Sequence, residues 1–337
     1  MVKKLLIGAC ALSLAASVAF GAQGAKFYVS EGEKEKPFMS LVNEKISTIG
    51  FVLSDPHERI NDAYKTKWGT EFQTVKGVTS KHPDFDPTFK PTLDNLGFFS
   101  ITNDAVVGPL LVKEPSLGGF SPFNLGIYKK MGEDKTYVGH VMPKTMLDIV
   151  GVKDKAVRKT FIASFEPLDK MTEATMGKKV QYVDYKSLPK KPMMTFEVPF
   201  DRSVGVDKFK SDFQSKFEDA FEAHKYIIAG YKDMKGSMTD LNVTSFNRFD
   251  AYWVYSLCHF RFSEGIFNQG RPDANVFAPC SMYMYVDKGS NKLMVGMPRL
   301  ATWQAVMGIK DKKMVDSITA LDKEITQIMK ELGAKEL

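Results

Sequence analysis

The sequence lacks the patterns by which common metal and nucleophile sites are recognised. Its 337 residues include three cysteines, none of them in a Cys-x-x-Cys pair, and five histidines without metal-ligand spacing. It has no glycine-rich phosphate loop and no Gly-x-Ser-x-Gly turn. Because no nucleophile, base and oxyanion partner occur together, these absences weigh against an enzyme. No catalytic residue and no cofactor is predicted.

A surplus of charge of one sign is also missing. Forty-six Lys and Arg face 40 Asp and Glu, a formal net charge of +6. Nucleic-acid binders usually concentrate basic charge on one face, and no such run occurs here. Short lysine pairs at residues 178–179 and 190–191 are typical of a solvated linker. The composition therefore predicts no nucleic-acid partner.

Long hydrophobic runs are limited to the first residues. Lys3 and Lys4 precede an apolar run from Leu5 to Phe20, and small residues follow at the position of a cleavage site. The run is shorter than the roughly 20 residues that a membrane-spanning helix needs. Residues 1–21 are therefore predicted to be a cleaved signal peptide, with no transmembrane segment afterwards. The mature protein is expected to be periplasmic or secreted, and a lipoprotein attached through Cys10 is the less favoured alternative.

The chain contains an internal repeat. The segment 308–312, Gly-Ile-Lys-Asp-Lys, repeats the segment 151–155, Gly-Val-Lys-Asp-Lys, and the two begin 157 residues apart. At the same spacing Pro279 matches Pro122, and Tyr285 matches Tyr128. Farther upstream the matches occur at a spacing of 167, because Tyr231-Lys232 and Gly236 resemble Tyr64-Lys65 and Gly69. This spacing implies about ten extra residues in the first copy.

Each copy reads as strand, helix, strand, several further strands and a final helix. In the second copy, phenylalanines recur every four residues from Phe209 to Phe221, a stripe that predicts a helix packed on a core. Residues 22–177 are predicted to form a first α+β module with a long insertion at about 70–95. A linker is predicted at 178–192 and a second α+β module at 193–337. Loops as long as the insertion are uncommon unless they are functional or mobile.

Residues around Cys258 and Cys280 carry a resemblance to a known family. Phe277-Ala-Pro-Cys280 leads into the alternating segment Met282-Tyr-Met-Tyr285, and Cys258 lies upstream. This pattern resembles the domain-of-unknown-function 302 family, and the second copy is the clearer match. The resemblance implies an antiparallel β-α-β-β-β-β-α module similar to the TATA-box-binding-protein arrangement, with helices on one face of the sheet. It implies no activity, and a fold does not determine function.

Comparison of the copies predicts where the cysteines point. Cys280, Met282 and Met284 alternate along one strand face and match apolar residues of the first copy. Cys258 matches Ile101 at the spacing of 157, so both cysteines are expected inside the core. A disulfide between them, two buried thiols, and a metal or redox site remain alternatives. A metal site that included His259 would require a bulge, because neighbouring strand residues face opposite ways.

The opposite sheet face carries the aromatic residues. Tyr283 and Tyr285 alternate with the methionines, and Trp253 and Tyr255 are expected to join them on a candidate binding face. Alternatively, the two copies pack these faces against each other. A polar cluster at residues 55–58 is typical of a solvated turn.

Three functional hypotheses follow. The first is a non-enzymatic exported binding protein for a small molecule or a periplasmic protein. The second is a thiol-redox or metal-binding protein that acts through Cys258 and Cys280. The third, less supported, is an enzyme with a site near the 70–95 insertion.

Overall fold

The computed structural model describes residues 21–69 and 85–337. Nearly all of the predicted signal peptide, and residues 70–84 of the predicted insertion, lie outside the described residues. The strands are β1 (Ala22–Glu31), β2 (Val52–His57), β3 (Leu93–Thr102), β4 (Phe123–Lys130), β5 (Lys135–Val141), β6 (Val180–Tyr185), β7 (Met193–Pro199), β8 (Tyr226–Asp233), β9 (Phe249–His259), β10 (Cys280–Asp287), β11 (Lys292–Pro298) and β12 (Lys335–Glu336).

Helices connect these strands. They are α1 (Glu35–Ser40), α2 (Ile60–Trp68), α3 (Asp104–Lys113), α4 (Pro143–Ile149), α5 (Lys155–Ala163), α6 (Glu166–Met176), α7 (Val206–Ala223), α8 (Met234–Asp240), α9 (Phe260–Phe267), α10 (Ala301–Met307) and α11 (Lys312–Glu331). A π turn (Leu41–Lys45) and a 3-10 turn (Ile46–Ile49) extend α1. Two further 3-10 segments, Pro115–Phe120 and Pro272–Phe277, are called the first and second connector below.

The strands form two six-stranded antiparallel sheets with one shared topology. Their orders are β2-β3-β4-β5-β1-β6 and β8-β9-β10-β11-β7-β12. The prediction of two repeated α+β modules is therefore confirmed. Strand β6 lies within the segment 178–192 that was predicted as a linker, where it pairs with β1 at the sheet edge.

The repeated Gly-x-Lys-Asp-Lys segment is a helix-to-helix corner. Gly151 and Gly308 adopt left-handed φ angles of 79° and 60° at the ends of α4 and α10, a conformation that glycine adopts at little cost. Three residues later, Asp154 accepts hydrogen bonds from the first amides of α5, and Asp311 accepts one in α11. The repeat thus preserves one C-cap and one N-cap in each module.

Strand register corrects part of the repeat alignment. Phe123 pairs with Ile101, and the matching Cys280 pairs with Leu257 rather than with Cys258. Ile101 therefore corresponds to Leu257, one residue before Cys258. The predicted equivalence of Cys258 and Ile101 is wrong, and a shift of one residue reverses the sheet face.

The alignment at a spacing of 167 is also wrong. Tyr64-Lys65 lie in helix α2, whereas Tyr231-Lys232 lie in strand β8. Leu53 pairs with Ile101, and Ile228 pairs with Leu257, so Leu53 and Ile228 are the equivalent positions. Ile101 follows Leu53 by 48 positions in the first module, whereas Leu257 follows Ile228 by 29 positions in the second. The first module is therefore longer by 19 residues, not by about ten.

Each module places its connector on the sheet of the other. The first connector packs on β10 and β11, and the second packs on β3, β4 and β5. Asn275 of the second connector donates to the Gly97 and Ile127 carbonyl oxygens, both at 3.1 Å. A Cβ on Gly126 would overlap this amide, so the glycine makes room for Asn275.

In the reciprocal contact the small residue lies on the connector and the large residue lies on the sheet. Gly118 of the first connector occupies the position that Asn275 has in the second. A Cβ on Gly118 would overlap the rings of Tyr252 and Tyr283, and Tyr283 corresponds to Gly126. Tyr252 donates to the Pro115 carbonyl oxygen at 2.6 Å. Close packing of this kind leaves little room for added volume.

A row of mostly polar residues continues the interface, and its members are buried except for the half-buried Asp55 and Gly230. It comprises one residue from each of three neighbouring strands in both modules: Asp55, Ser100 and Asn124, and Gly230, Ser256 and Ser281. Asn124 donates to the Pro279 carbonyl at 3.0 Å, and its equivalent Ser281 donates to the Pro122 carbonyl at 3.2 Å. Burial raises the pKa of Asp55, against the opposing effects of Lys232 and Ser256. The predicted solvated turn at residues 55–58 is instead mostly strand β2 at a module junction.

Candidate ligand groove between the modules

Cys258 and Cys280 are free thiols in the structure. Cys280 shares the helix-covered face of its sheet with Leu257, whereas Cys258 lies one residue further along β9 and has the opposite orientation. Cys258 is buried beside the Ser263 hydroxyl, 4.0 Å from its sulfur. The disulfide considered from the sequence is therefore not formed in the structure.

Both thiols are disfavoured as thiolates. Burial raises the pKa of Cys258 to about 11, and burial with the neighbouring Cys258 and Asp322 raises that of Cys280 further. Both line a small cavity of about 20 Å³, room for about one water molecule. Within residues 21–69 and 85–337, no three His, Cys, Asp or Glu side chains are grouped so that they could hold a metal ion.

The four aromatic residues of the predicted binding face do not share one face. Trp253 pairs with Met284 and Tyr255 with Met282, so both lie on the helix-covered side. Tyr255 stacks on Phe217 of α7 with ring centroids 4.9 Å apart. The expectation that Trp253 and Tyr255 join the other two tyrosines is therefore wrong. The cause is the one-residue shift along β9 that also misaligned Cys258.

Tyr283 and Tyr285 lie on the other face, where Tyr252 joins them. Their rings stack at 6.3 Å, and that of Tyr252 lies 5.7 Å from Tyr285. The first connector covers Tyr252 and Tyr283, with Gly118 against both rings. One module therefore packs on this sheet face of the other. This packing is the alternative that the sequence analysis gave to a free binding face.

An open groove of about 400 Å³ lies elsewhere along the module junction. Its aromatic floor joins α2 of the first module to the start of α9 in the second. Tyr64 and Trp68 lie four residues apart on one side of α2, and the Phe260 ring packs on both, at 4.9 and 5.2 Å between centroids. Tyr64 also donates to Ser263 at 2.7 Å. The floor is therefore fixed by both modules, with Phe260 half-buried.

Charged side chains line the groove above this floor. The Arg261 guanidinium lies 5.0 Å from the Trp68 ring centroid and 2.8 Å from Asp86. Lys67 and Lys225 contribute two more cations to the lining. Burial lowers the pKa of His259 against the opposing effect of the Glu324 charge, and the Lys225 and Lys67 charges lower it further, so this imidazole is neutral near pH 7. The described lining thus includes three cations and the Asp86 carboxylate.

Phe85, Asp86 and Pro87 form one wall, at the start of the segment that leads to Thr92. Thr92 donates to Asn268 across the junction, from its backbone N–H to Oδ1 and from its hydroxyl to the carbonyl oxygen, and the Asn268 amide donates to the Lys90 carbonyl at 2.9 Å. Asp86 accepts from the Thr88 hydroxyl at 2.6 Å. The segment is therefore tied to the start of α9 through Arg261 and to the end of α9 through Asn268.

Sequence reasoning did not identify Trp68, Phe260 and Arg261 as site residues. The long insertion at about 70–95 was the one signal near them, since its end forms the wall of the groove. Nothing in the local sequence indicates that α2 and α9 meet, because the contact depends on the arrangement of the modules.

Comparison with solved structures finds a distant similarity over part of the chain. A crystal structure of an uncharacterized conserved DUF302 protein from Bacillus stearothermophilus is similar to part of this chain, with 12% identity and a TM-score of 0.34. The similarity covers 41% of this chain and 96% of that chain. No family model and no curated protein matches the sequence. The neighbour belongs to the family that the sequence resembles and indicates no ligand or activity.

In the part of the chain that the structure describes, no helix is both long enough and apolar enough to cross a bilayer.

Proposed function

We propose that this chain is an exported, non-enzymatic binding protein whose ligand site is the groove between its modules. The observation that carries the proposal is the groove itself, an open space of about 400 Å³ with aromatic residues below and charged residues around it. Ligand sites are typically concave, of 300–1,000 Å³, and often lie where two domains meet. Export follows from the signal-peptide pattern of residues 1–21.

A binding role accounts for the architecture better than catalysis does. The groove has aromatic surface, two lysines and an arginine, but the imidazole of His259 is half-buried and neutral, and the Asp86 carboxylate is paired with Arg261. Among the lining residues that the structure describes, none is an activated nucleophile. These groups suit recognition of a ligand, which needs contact area and complementary charge.

Native mass spectrometry of the protein purified from its own host tests the proposal. We expect a retained small-molecule mass and loss of residues 1–21 from the mature chain. Phe260→Ala should remove the retained mass, because it deletes the half-buried ring of the floor. Phe200→Ala is the matched control, since Phe200 is also half-buried and stacks on Phe209 at 4.0 Å, away from the groove. Retention unaffected by Phe260→Ala would contradict the groove as the site.

A further inference from the structure

We propose that His259 is a pH-sensitive positioning residue of the groove. Its neutral imidazole caps α9, and its protonation releases the end of that helix that carries Phe260 and Arg261. The inference rests on the proposed function and adds how the same site is regulated. Binding in the groove is therefore expected at neutral pH and is expected to weaken in mildly acidic solution.

The imidazole of His259 accepts a hydrogen bond at the N-terminus of α9. Phe262 donates its backbone N–H to Nδ1 at 3.2 Å, so Nδ1 carries no proton. In the neutral ring the proton then lies on Nε2. The first amides of a helix have no partner within the helix, so a side-chain acceptor at this position stabilises the first turn.

Protonation of His259 removes this cap. An imidazolium has hydrogen on both nitrogens and cannot accept from the Phe262 amide. Its positive charge would also lie at the end of the helix where the backbone dipoles concentrate positive charge. Because the two effects act together, the first turn of α9 is less stable whenever His259 is charged.

The first turn of α9 carries the contacts that build the groove. The Phe260 ring packs on Tyr64 and Trp68 of α2, at 4.9 and 5.2 Å between centroids. The Arg261 guanidinium lies 2.8 Å from Asp86 of the wall and 5.0 Å from the Trp68 ring centroid. Loss of the cap should therefore loosen the aromatic floor and the tie to the wall together.

The surroundings of His259 keep its ring neutral at pH 7. Burial lowers its pKa from 6.5, the Glu324 charge opposes this, and the Lys225 and Lys67 charges lower it further. A folded-state pKa below the unfolded value means that the contribution of the neutral ring is fully present above about pH 6.5 and is lost as the pH falls below it. The titratable and charged groups that face this ring are Lys67 of α2, Lys225 and Tyr226 at the start of β8, Cys258 of β9, Arg261 of α9, Cys280 of β10 and Glu324 of α11.

Two substitutions separate the cap from the charge. Asparagine is a good N-cap acceptor and does not titrate, so His259→Asn keeps the cap at every pH. His259→Ala has no acceptor and lacks the cap at every pH. His224→Asn is the matched control, because it removes another partly exposed imidazole, one that contacts Glu324 at 3.2 Å and caps no helix N-terminus.

Hydrogen exchange followed by mass spectrometry of the full mature protein measures the cap without any ligand. Protection is taken as the intrinsic exchange rate divided by the observed rate, so that the direct effect of pH on exchange cancels. We expect the protection of residues 260–267 to fall about threefold or more between about pH 7.5 and pH 5, in the parent and in His224→Asn. Protection should stay constant in His259→Asn and should be low at both pH values in His259→Ala.

Two exchange results would overturn the inference. The first is protection of α9 that does not fall in the parent, and the second is an equal fall in His259→Asn. The retained host-derived mass gives a separate readout. If that mass is lost in Phe260→Ala but stays bound at about pH 5, the pH-sensitive cap fails while the groove stands as the site. If no mass is retained at any pH, the proposed function fails, and the exchange of α9 alone decides the role of His259.

Discussion

At the scale of single residues, the modules differ in a buried polar cluster. In the first module, the Asp169 carboxylate accepts from Tyr28 at 2.9 Å and lies 3.1 Å from both His140 and Lys26. In the second, strand register places Met194 and Met297 at the positions of Lys26 and His140. One fold therefore accommodates either a charged or an apolar set at this place, so the cluster is not required by the topology.

The carboxylate makes stability depend on pH. Burial alone would raise the pKa of Asp169, but His140, Lys26 and Tyr28 outweigh it and lower the pKa to about 2 from 3.8. A depressed folded-state pKa contributes stability above the unfolded value, and this contribution is lost as the pH falls from about 4 to 2. Asp169→Asn should lower the free energy of unfolding by about 1–2 kcal/mol at pH 7, with some discount for partial exposure.

Urea unfolding at several pH values measures this effect. The difference between Asp169→Asn and the parent should shrink as the pH falls below 4. Asp212→Asn, in an exposed pair with Lys208 on α7, should change stability little at any pH. A deficit in Asp169→Asn that persists undiminished at pH 2 would show that packing, and not charge, accounts for it.

At the scale of elements, the first connector must pass close to β10. A Cβ on Gly118 would overlap the buried rings of Tyr252 and Tyr283. Gly118→Ala should therefore destabilise the protein by about 1–3 kcal/mol, the usual cost of overpacking. Gly265→Ala is the control, because a Cβ there meets nothing within 4 Å and the residue lies in helix α9. The control should be neutral or stabilising by up to about 1 kcal/mol. Chemical denaturation compares the two, and equal stability of both variants would refute the tight connector contact.

The elements also show what the sequence could and could not predict. Gly151 and Asp154 have equivalents in the second module that cap the same helices, so the repeat and the α+β class could be predicted from local sequence patterns. The faces of β9 were not readable, because the spacing between equivalent residues changes by one between β9 and β10, and one residue reverses a strand. The groove was not readable either, since Trp68 and Phe260 are distant in sequence and meet only when the modules pack.

At the scale of the whole molecule, the modules are held together by contacts that neither could make alone. Each connector covers the sheet of its neighbour, and the buried Lys232–Asp104 pair crosses the junction at 2.8 Å. Removing the first module would expose Tyr252 and Tyr283 of the second and would leave Asn275, also in the second, without its carbonyl partners. Unsatisfied buried polar groups and exposed apolar surface are both costly, so the modules should unfold as one unit.

A core truncation in the first module tests this coupling through reporters in the second. Leu125 is fully buried in β4, and Leu125→Ala should cost about 2–5 kcal/mol. In a Trp68→Phe background the remaining tryptophans, Trp253 and Trp303, both lie in the second module. Coupled modules predict that Leu125→Ala shifts the urea midpoint of their fluorescence as far as that of the circular dichroism signal. Leu241→Ala, at a half-exposed position, should shift neither. In the contrary outcome, the tryptophan fluorescence keeps the parent midpoint while part of the circular dichroism signal is lost at lower urea. The second module would then fold independently of the first.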